Sequence, residues 1–386
     1  MVEILKAEQY PEYEAFAEDN RFACFTQSVN WTKVKDNWKH EVVVSRDENG
    51  AIRGGMLLLI RRILPGLTFL YSPRGPVCDV KNRPVMEELL TGARQVAKKY
   101  GAFGLKVDPA ILETDEASIQ ALLDFGFHYK PDADEYDTVQ RRWNYVLPDI
   151  EGWSPEKLLA SFKQKCRYNI RLSQKHNVQC EICGKEGLDE YMRLSELTSE
   201  RHNFVARSKE YLAKMLDAFG PDRMRLYLCR YEGKAISGAI ACRYADRVYY
   251  IFGASDKAYG HLYANYLMQW NMINWAAEHN CFMYDFMGIA AKLDKNSPMY
   301  GVYRFKSGFN GAVYAYAGDF DLDFRPFRAG VFRFLLAGKK ALGSVRHFFA
   351  GLGHRNKSTN EYAAEKASKD KKKHVSQQEA AKGEEK

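Results

Sequence analysis

The sequence predicts a mixed α/β protein with two cores and with some of its strands parallel. Three observations carry that prediction. Residues 248–253 read VYYIFG, a β-branched and aromatic run broken by Gly253. From Tyr266 the residues Leu267, Trp270, Ile273, Asn274 and Ala277 recur at helical spacing, His279-Asn280 closes the run, and residues 281–286 form a second apolar strand. Strand, crossover helix, strand is a βαβ unit, which joins parallel neighbours. The same order is expected from a strand at 67–72, a helix at 84–100 and a strand at 104–108. Finally, 386 residues exceed one ordinary domain.

Composition supports a folded, water-soluble body. The apolar fraction is 46%, with 22 Phe and 24 Tyr to fill the cores, and the charged fraction of 27% is ordinary. No run approaches the roughly 20 apolar residues that span a bilayer, so any membrane attachment is expected to be peripheral. Eight cysteines lie mostly inside apolar runs with no secretory signal ahead of them, which suits a reducing cytoplasm. Cys180 and Cys183 form a lone CxxC. A structural zinc site needs four ligands and no second pair is suitably spaced, so Cys180 is read with Val178 and Ile182 as the inner side of a half-buried strand.

In chain order, residues 41–63 form a β-hairpin around the turn at 47–50, and the strand, helix and strand above complete a first domain over 1–145. A second domain, 146–311, opens with a Pro-Asp break and a helix start at Ser154-Pro155. Strands at 225–231 and 235–244 flank the Glu232-Gly233 turn, and 248–252 extends the meander into the βαβ unit. A last strand at 312–317 is expected to return the chain to the first domain, which then also takes in about 312–335. Residues 336–354 read as a basic amphipathic segment and 355–386 as a disordered tail with almost no apolar content.

The formal charge of +8 is unevenly placed. Residues 324–360 hold eight Lys or Arg, no acid, and six phenylalanines. Phe327, Val331, Phe334, Leu335, Leu342, Val345, Phe349 and Leu352 recur every three or four residues, an amphipathic stripe suited to an anionic membrane surface. The competing expectation is that its first part packs on the domain and the rest is a solvated basic tail. Lys163, Arg167, Arg171 and Lys175 recur every four residues beside Lys165, and no acid interrupts 161–179. That is the electrostatic footprint of a nucleic-acid backbone contact, or else a solvated helix face.

Four segments in order, SFKQKCRYNIRLSQK at 161–175, the FGAS strand with Trp270, YDFMGI, and RFKSGFNG at 304–311, resemble the FemABX family of peptidoglycan aminoacyltransferases. The resemblance covers most of residues 20–325. It implies a pair of fused GNAT-like domains with mixed sheets. There is no room for the inserted helical arm of some relatives, so the compact FemX-type members are the nearer match. It implies transfer of an amino acid from aminoacyl-tRNA to the stem peptide of a cell-wall precursor, with aminoacyl-tRNA as co-substrate, no cofactor and no metal. A direct transfer needs alignment and oxyanion stabilisation more than a nucleophile, and no GxSxG is present.

The resemblance also assigns roles. Phe305 and Lys306 lie where the tRNA 3′ end meets the acceptor peptide, with Lys306, expected in a loop, stabilising the oxyanion or the departing ribose. Asp108 ends a parallel strand and holds or deprotonates the attacking amine; an Asp-Pro turn is the plainer account. Lys35, Trp38, Arg207 and Tyr211 match positions that bind the precursor, the last two as an i, i+4 helical pair. Phe252 stands where the FGAS strand usually has tyrosine. Tyr71 and Arg74 are expected in the same cleft. Lys163, Lys165, Arg167, Arg171 and Lys175 are expected to meet tRNA.

The protein is expected to be a monomer in the cytoplasm, at the inner face of the membrane if the basic segment binds lipid. That segment favours a lipid-linked acceptor over a UDP-linked one. Two other functions stay open: an acyl-CoA-dependent GNAT acyltransferase, although DKAYGHLYANY has a single glycine, and a non-catalytic protein that binds membrane or RNA.

Overall fold

The computed structural model describes residues 1–131, 138–202, 204–297 and 299–341, with side chains through residue 335. In the first part of the chain, apolar runs form β1 (Val2–Ile4), β2 (Lys39–Arg46), β3 (Ile52–Leu64), β4 (Leu67–Ser72), β5 (Ala102–Val107) and β6 (His128–Tyr129). Then come β7 (Trp143–Leu147), β8 (Gln179–Cys183), β9 (Met224–Tyr231), β10 (Lys234–Tyr244) and β11 (Arg247–Ser255). The last are β12 (Met283–Gly288), β13 (Ala312–Ala315) and β14 (Phe320–Asp323). They make two seven-stranded mixed sheets, ordered β1-β2-β3-β4-β5-β14-β6 and β13-β7-β12-β11-β10-β9-β8.

Each sheet has one parallel pair, made by a helical crossover. The helix Arg83–Tyr100 joins β4 to parallel β5. Asn82 caps it by accepting from the Val85 N–H, and Gly101 ends it in the left-handed region at φ 67°. Val85, Met86, Leu89, Leu90, Ala93, Val96 and Ala97 form its buried stripe on the sheet. The helix Ala264–Glu278 joins β11 to parallel β12. It is apolar almost all round, with Leu267, Met268, Trp270, Met272, Ile273 and Trp275 buried, because the helix Gln164–Lys175 covers the side turned from the sheet.

The division of strands between the two sheets differs from the sequence expectation at both ends. β7 begins at Trp143 and pairs with β12 and β13 in the second sheet, so the second half starts a few residues before 146. The strand at Ala312–Ala315 stays in that sheet, and the return to the first sheet is made by β14, between β5 and β6. Both segments are short apolar runs, and such runs do not encode which neighbour they pair with. The return is pinned electrostatically: Lys106 on β5 donates to Asp319 at 3.1 Å and to Asp321 at 3.0 Å. Asp319 in turn accepts from the Val139 N–H.

The expected alternation around the CxxC holds only in part. Val178 is buried and Cys180 half-buried, but Ile182 is 54% exposed because β8 is the edge strand. Cys180 lies directly opposite Cys229 of β9. Leu342, Val345, Phe349 and Leu352 of the basic segment, and the tail from 355, lie outside the described residues.

Lys106→Met strands the Asp319 carboxylate among buried groups, and the expected loss is about 3 kcal/mol of unfolding free energy. Denaturant titration of K106M checks it, and adding Asp319→Asn should restore part of the loss.

Candidate active site

A regular strand points successive backbone carbonyls in opposite directions, so three consecutive ones cannot converge on one group. β12 is not regular where it ends. Its register against β7 slips between Asp285 and Gly288, and Met287 stands at φ 61°. This bulge turns the carbonyls of Phe286, Met287 and Gly288 onto the Lys306 ammonium, at 2.5, 3.1 and 2.7 Å. An ammonium has three hydrogens, so its donors are matched one to one.

Lys306 was expected in a loop. It is instead the last residue of the short helix Tyr300–Lys306 and is 4% exposed. Burial lowers its pKa to about 7, opposed by the carboxylate of Asp285 and helped by Arg141. The face of Tyr250 lies 5.9 Å from its Nζ. Gly253 is required there, since a Cβ at that position would sit 1.6 Å from the Tyr250 hydroxyl.

The motifs that were scattered along the chain meet around this lysine. Phe162 packs edge-on to Trp270 and Phe309, and Phe305 packs edge-on to Tyr266. The Lys163 N–H donates to Gly308 O at 3.0 Å, and Asn310 donates to Ser161 O at 3.0 Å. Gly311 passes so close to β7 that a Cβ would lie 2.0 Å from Val146 O. The basic helix Gln164–Lys175 therefore begins beside Phe305 and Lys306. Lys163, Lys165, Arg171 and Lys175 are exposed along it. Arg167 is half-buried and folds back onto the carbonyls of Ala160 and Phe162. Positions four apart also drift by about 40° per step on a 3.6-residue helix, so the stripe spirals.

Asp108 stands immediately after β5 with no exposure. Its carboxylate accepts from the Tyr71 hydroxyl at 2.8 Å and from the Arg74 N–H at 2.5 Å. Burial raises its pKa to about 7 against the pull of the Arg74 guanidinium. Tyr71 and Arg74 thus reach the same cluster, but Asp108 is walled in by them and acts by holding them. Arg74 lies over the Tyr316 ring at 4.7 Å and donates to Arg141 O at 2.9 Å. Its charge also acts on Asp285, as does that of Lys306. The two halves of the chain are therefore electrostatically joined through Asp108, Arg74, Asp285 and Lys306.

Asp285 is the residue that sequence reasoning missed. It is 3% exposed on β12, accepts from Asn144 at 3.2 Å and from the Met287 N–H at 2.6 Å, and burial raises its pKa. A carboxylate inside the apolar YDFMGI strand was the available signal.

A second cluster lies where the helix Asn30–Val34 meets the helix Lys209–Phe219. Lys35 donates to the Tyr211 hydroxyl at 3.3 Å and lies 5.0 Å from the Trp31 ring and 5.2 Å from the Tyr211 ring. Burial, with the nearby charges of Arg207 and Arg61, lowers its pKa to about 7. Arg61, also missed from sequence, lies over Trp38 at 5.0 Å. Arg207 and Tyr211 meet at 5.5 Å, yet not as a helical pair: Arg207 precedes Ser208, the N-cap of the helix. Three basic side chains converging among aromatic rings are chemically suited to an anion. Phe252 is half-buried opposite Ile240, on the strand that brings Tyr250 to Lys306, and belongs to neither cluster's described contacts.

Two seven-stranded mixed sheets joined at a buried cluster of lysine, arginine and carboxylates define a tandem mixed α/β architecture. The chain belongs to the FemAB family, whose model matches residues 8–235 and 230–336. It is 30% identical over 315 residues to the UDP-N-acetylmuramoylpentapeptide-lysine N(6)-alanyltransferase of Weissella viridescens, covering 80% of this chain and 92% of that protein. It is 26% identical over 380 residues to a lipid II:glycine glycyltransferase of Staphylococcus epidermidis, covering 80% and 90%. The crystal structure of FemX superimposes with a TM-score of 0.77 at 22% identity, over 84% of this chain and 98% of that one. A tandem GNAT protein of the clavulanic acid pathway shares the fold with a TM-score of 0.50 at 11% identity, over 84% and 98%.

Because the folded-state pKa of Asp108 is raised from 3.8 to about 7, its contribution to stability is full below about pH 4 and is lost as pH rises through 7. Asp108→Asn removes that dependence. The unfolding free energy of the unsubstituted protein is expected to fall more steeply between about pH 4 and 7 than that of D108N; parallel curves would mean that Asp108 is ionised throughout.

Proposed function

We propose that the protein transfers an amino acid from its aminoacyl-tRNA ester to an amine of the stem peptide of a peptidoglycan precursor, building an interpeptide bridge. The observation that carries this reading is relatedness along 80% of the chain to an alanyltransferase and to glycyltransferases named for muramoylpentapeptide and lipid II acceptors. The chemistry is balanced without a cofactor. The amine nitrogen attacks the ester carbonyl, the new amide bond forms as the bond to the ribose oxygen breaks, and the proton lost by nitrogen ends on that oxygen or in solvent.

In this reading Lys306, in its protonated form, places a positive charge beside the reacting carbonyl. Its hydrogens are held by Phe286, Met287 and Gly288, so the charge needs no reorganisation as the oxyanion develops. Phe305, half-buried one residue earlier, offers a ring edge to the acyl end of the donor. Asp108 keeps Tyr71 and Arg74 in place. Lys35, Arg61 and Arg207, with Trp31, Trp38 and Tyr211, receive the phosphates and carboxylates of the precursor. Lys163, Lys165, Arg171 and Lys175 follow the tRNA backbone. An acyl-CoA donor is the less favoured reading, since the start of the helix Ala264–Glu278 lacks a glycine cradle: Tyr263 occupies its N-cap at φ 55°.

Incubation with charged tRNAs and either a UDP-linked or a lipid-linked pentapeptide should add the mass of one amino acid to the acceptor. No gain with any pairing, together with binding of acetyl-CoA, would overturn the reading. Lys306→Ala is expected to lower kcat by about a hundredfold or more with little change in precursor affinity; equal loss of both would remove its proposed role. Charge reversal at Lys163 and Arg171 should raise the KM for aminoacyl-tRNA and flatten its salt dependence, leaving precursor affinity unchanged.

A further inference from the structure

We propose that the outer face of the helix Pro326–Ala341, with the tip of the β3–β4 hairpin, docks this protein on an anionic lipid bilayer. At about 100° per residue, Phe327, Val331, Phe334 and Leu335 fall within about 80–100° of one another on one side of the helix. Phe327 is 84% exposed and Phe334 79%, while Val331 and Leu335 are also exposed. The helix is nonetheless anchored by another side. Ala329 is buried, and Phe332 packs on Phe69 and Phe103 at 6.3 and 5.1 Å between ring centroids. Its apolar stripe is therefore directed away from the core by a helix whose opposite side is already seated, and two bare phenylalanines are costly in water unless something covers them.

The hairpin tip continues this surface. Arg328 donates to Gly66 O at 3.4 Å, which ties the helix to the turn where Leu64 is 48% exposed and Arg62 is exposed. Charge identifies the occupant. Residues 324–335 carry Arg325, Arg328 and Arg333 and no acid. Beside the start of the helix lies a cleft of about 320 Å³ whose lining includes Arg94, Lys98 and Arg325. The one carboxylate in its lining, Asp323, is neutralised by Arg333 at 2.8 Å. Aromatic side chains for the acyl boundary and arginines for the headgroup phosphates are what an anionic bilayer surface binds. Among the described residues no helix is long and apolar enough to cross a membrane, so the contact is peripheral.

The test is co-sedimentation of the full chain with vesicles of mixed phosphatidylglycerol and phosphatidylcholine, and with vesicles of phosphatidylcholine alone. The protein should sediment with the anionic vesicles and much less with the neutral ones. Phe327→Glu with Phe334→Glu should weaken that binding by about tenfold or more, and Leu64→Glu alone by about threefold. Because these side chains are exposed, the melting temperature and transfer to a soluble acceptor should not change; the milder F327S/F334S pair repeats the test if the first variant folds poorly. Binding by the Glu variant equal to that of the unsubstituted protein overturns the proposal, as does equal sedimentation with neutral vesicles. A concentration-dependent dimer abolished by the same substitutions, with no vesicle binding, assigns the face to a second copy of the chain and also overturns it. This inference stands on the surface alone, so failure of transfer chemistry would leave it intact.

Discussion

The three hydrogens of the Lys306 ammonium and the three carbonyls of Phe286, Met287 and Gly288 form the interaction on which the candidate site depends. A buried cation is tolerated only when its donors are satisfied, and a strand end supplies three convergent acceptors only if it is bulged. Each local irregularity nearby follows from this. Met287 takes a positive φ, Asp285 accepts the Met287 N–H at 2.6 Å and so holds the bulge, and Gly253 leaves room for the Tyr250 ring beneath the ammonium. The lysine is structural and electrostatic at once.

The same logic explains why the fold has two halves. Arg74 and Asp108 come from the first sheet and its loops, Asp285 and Lys306 from the second; each carboxylate has its cation in its own half, and the charge of Arg74 also reaches Asp285 across the seam. Separating the halves would remove the charge of Arg74 from beside Asp285. The Lys35 cluster is also shared, with Lys35 from the first half and Tyr211 from the second. A substrate that binds between them therefore touches both halves, and relative placement of the halves is what sets the reacting geometry.

The distribution of charge gives the molecule distinct surfaces. Exposed cations of the helix Gln164–Lys175 start beside Phe305 and Lys306, in the second half. The exposed phenylalanines and arginines of the helix Pro326–Ala341 belong with the first sheet, through Phe69 and Phe103. In the proposed reaction the first serves a polyanionic donor and the second a lipid surface from which an acceptor is delivered.

By itself the sequence determined the elements and their order. Period-2 and period-3.6 apolar patterns, Gly101, the Ser154-Pro155 start and the strand-helix-strand runs reflect local conformational preference and burial, which act over a few residues. The motifs that carried the family resemblance were legible for the same reason, and Lys306, Phe305, Tyr71, Arg74 and Asp108 were picked out through that resemblance. Tertiary structure alone decided pairing and environment. It placed the short strands β7 and β13 in the second sheet, moved Lys306 from an expected loop into a buried helix end, separated Arg207 from the helix it was expected to share with Tyr211, and brought Asp285 and Arg61 into clusters with residues distant in the chain. Burial, charge coupling and strand partnership are properties of what surrounds a residue, and those surroundings come from parts of the chain that its own neighbours do not specify.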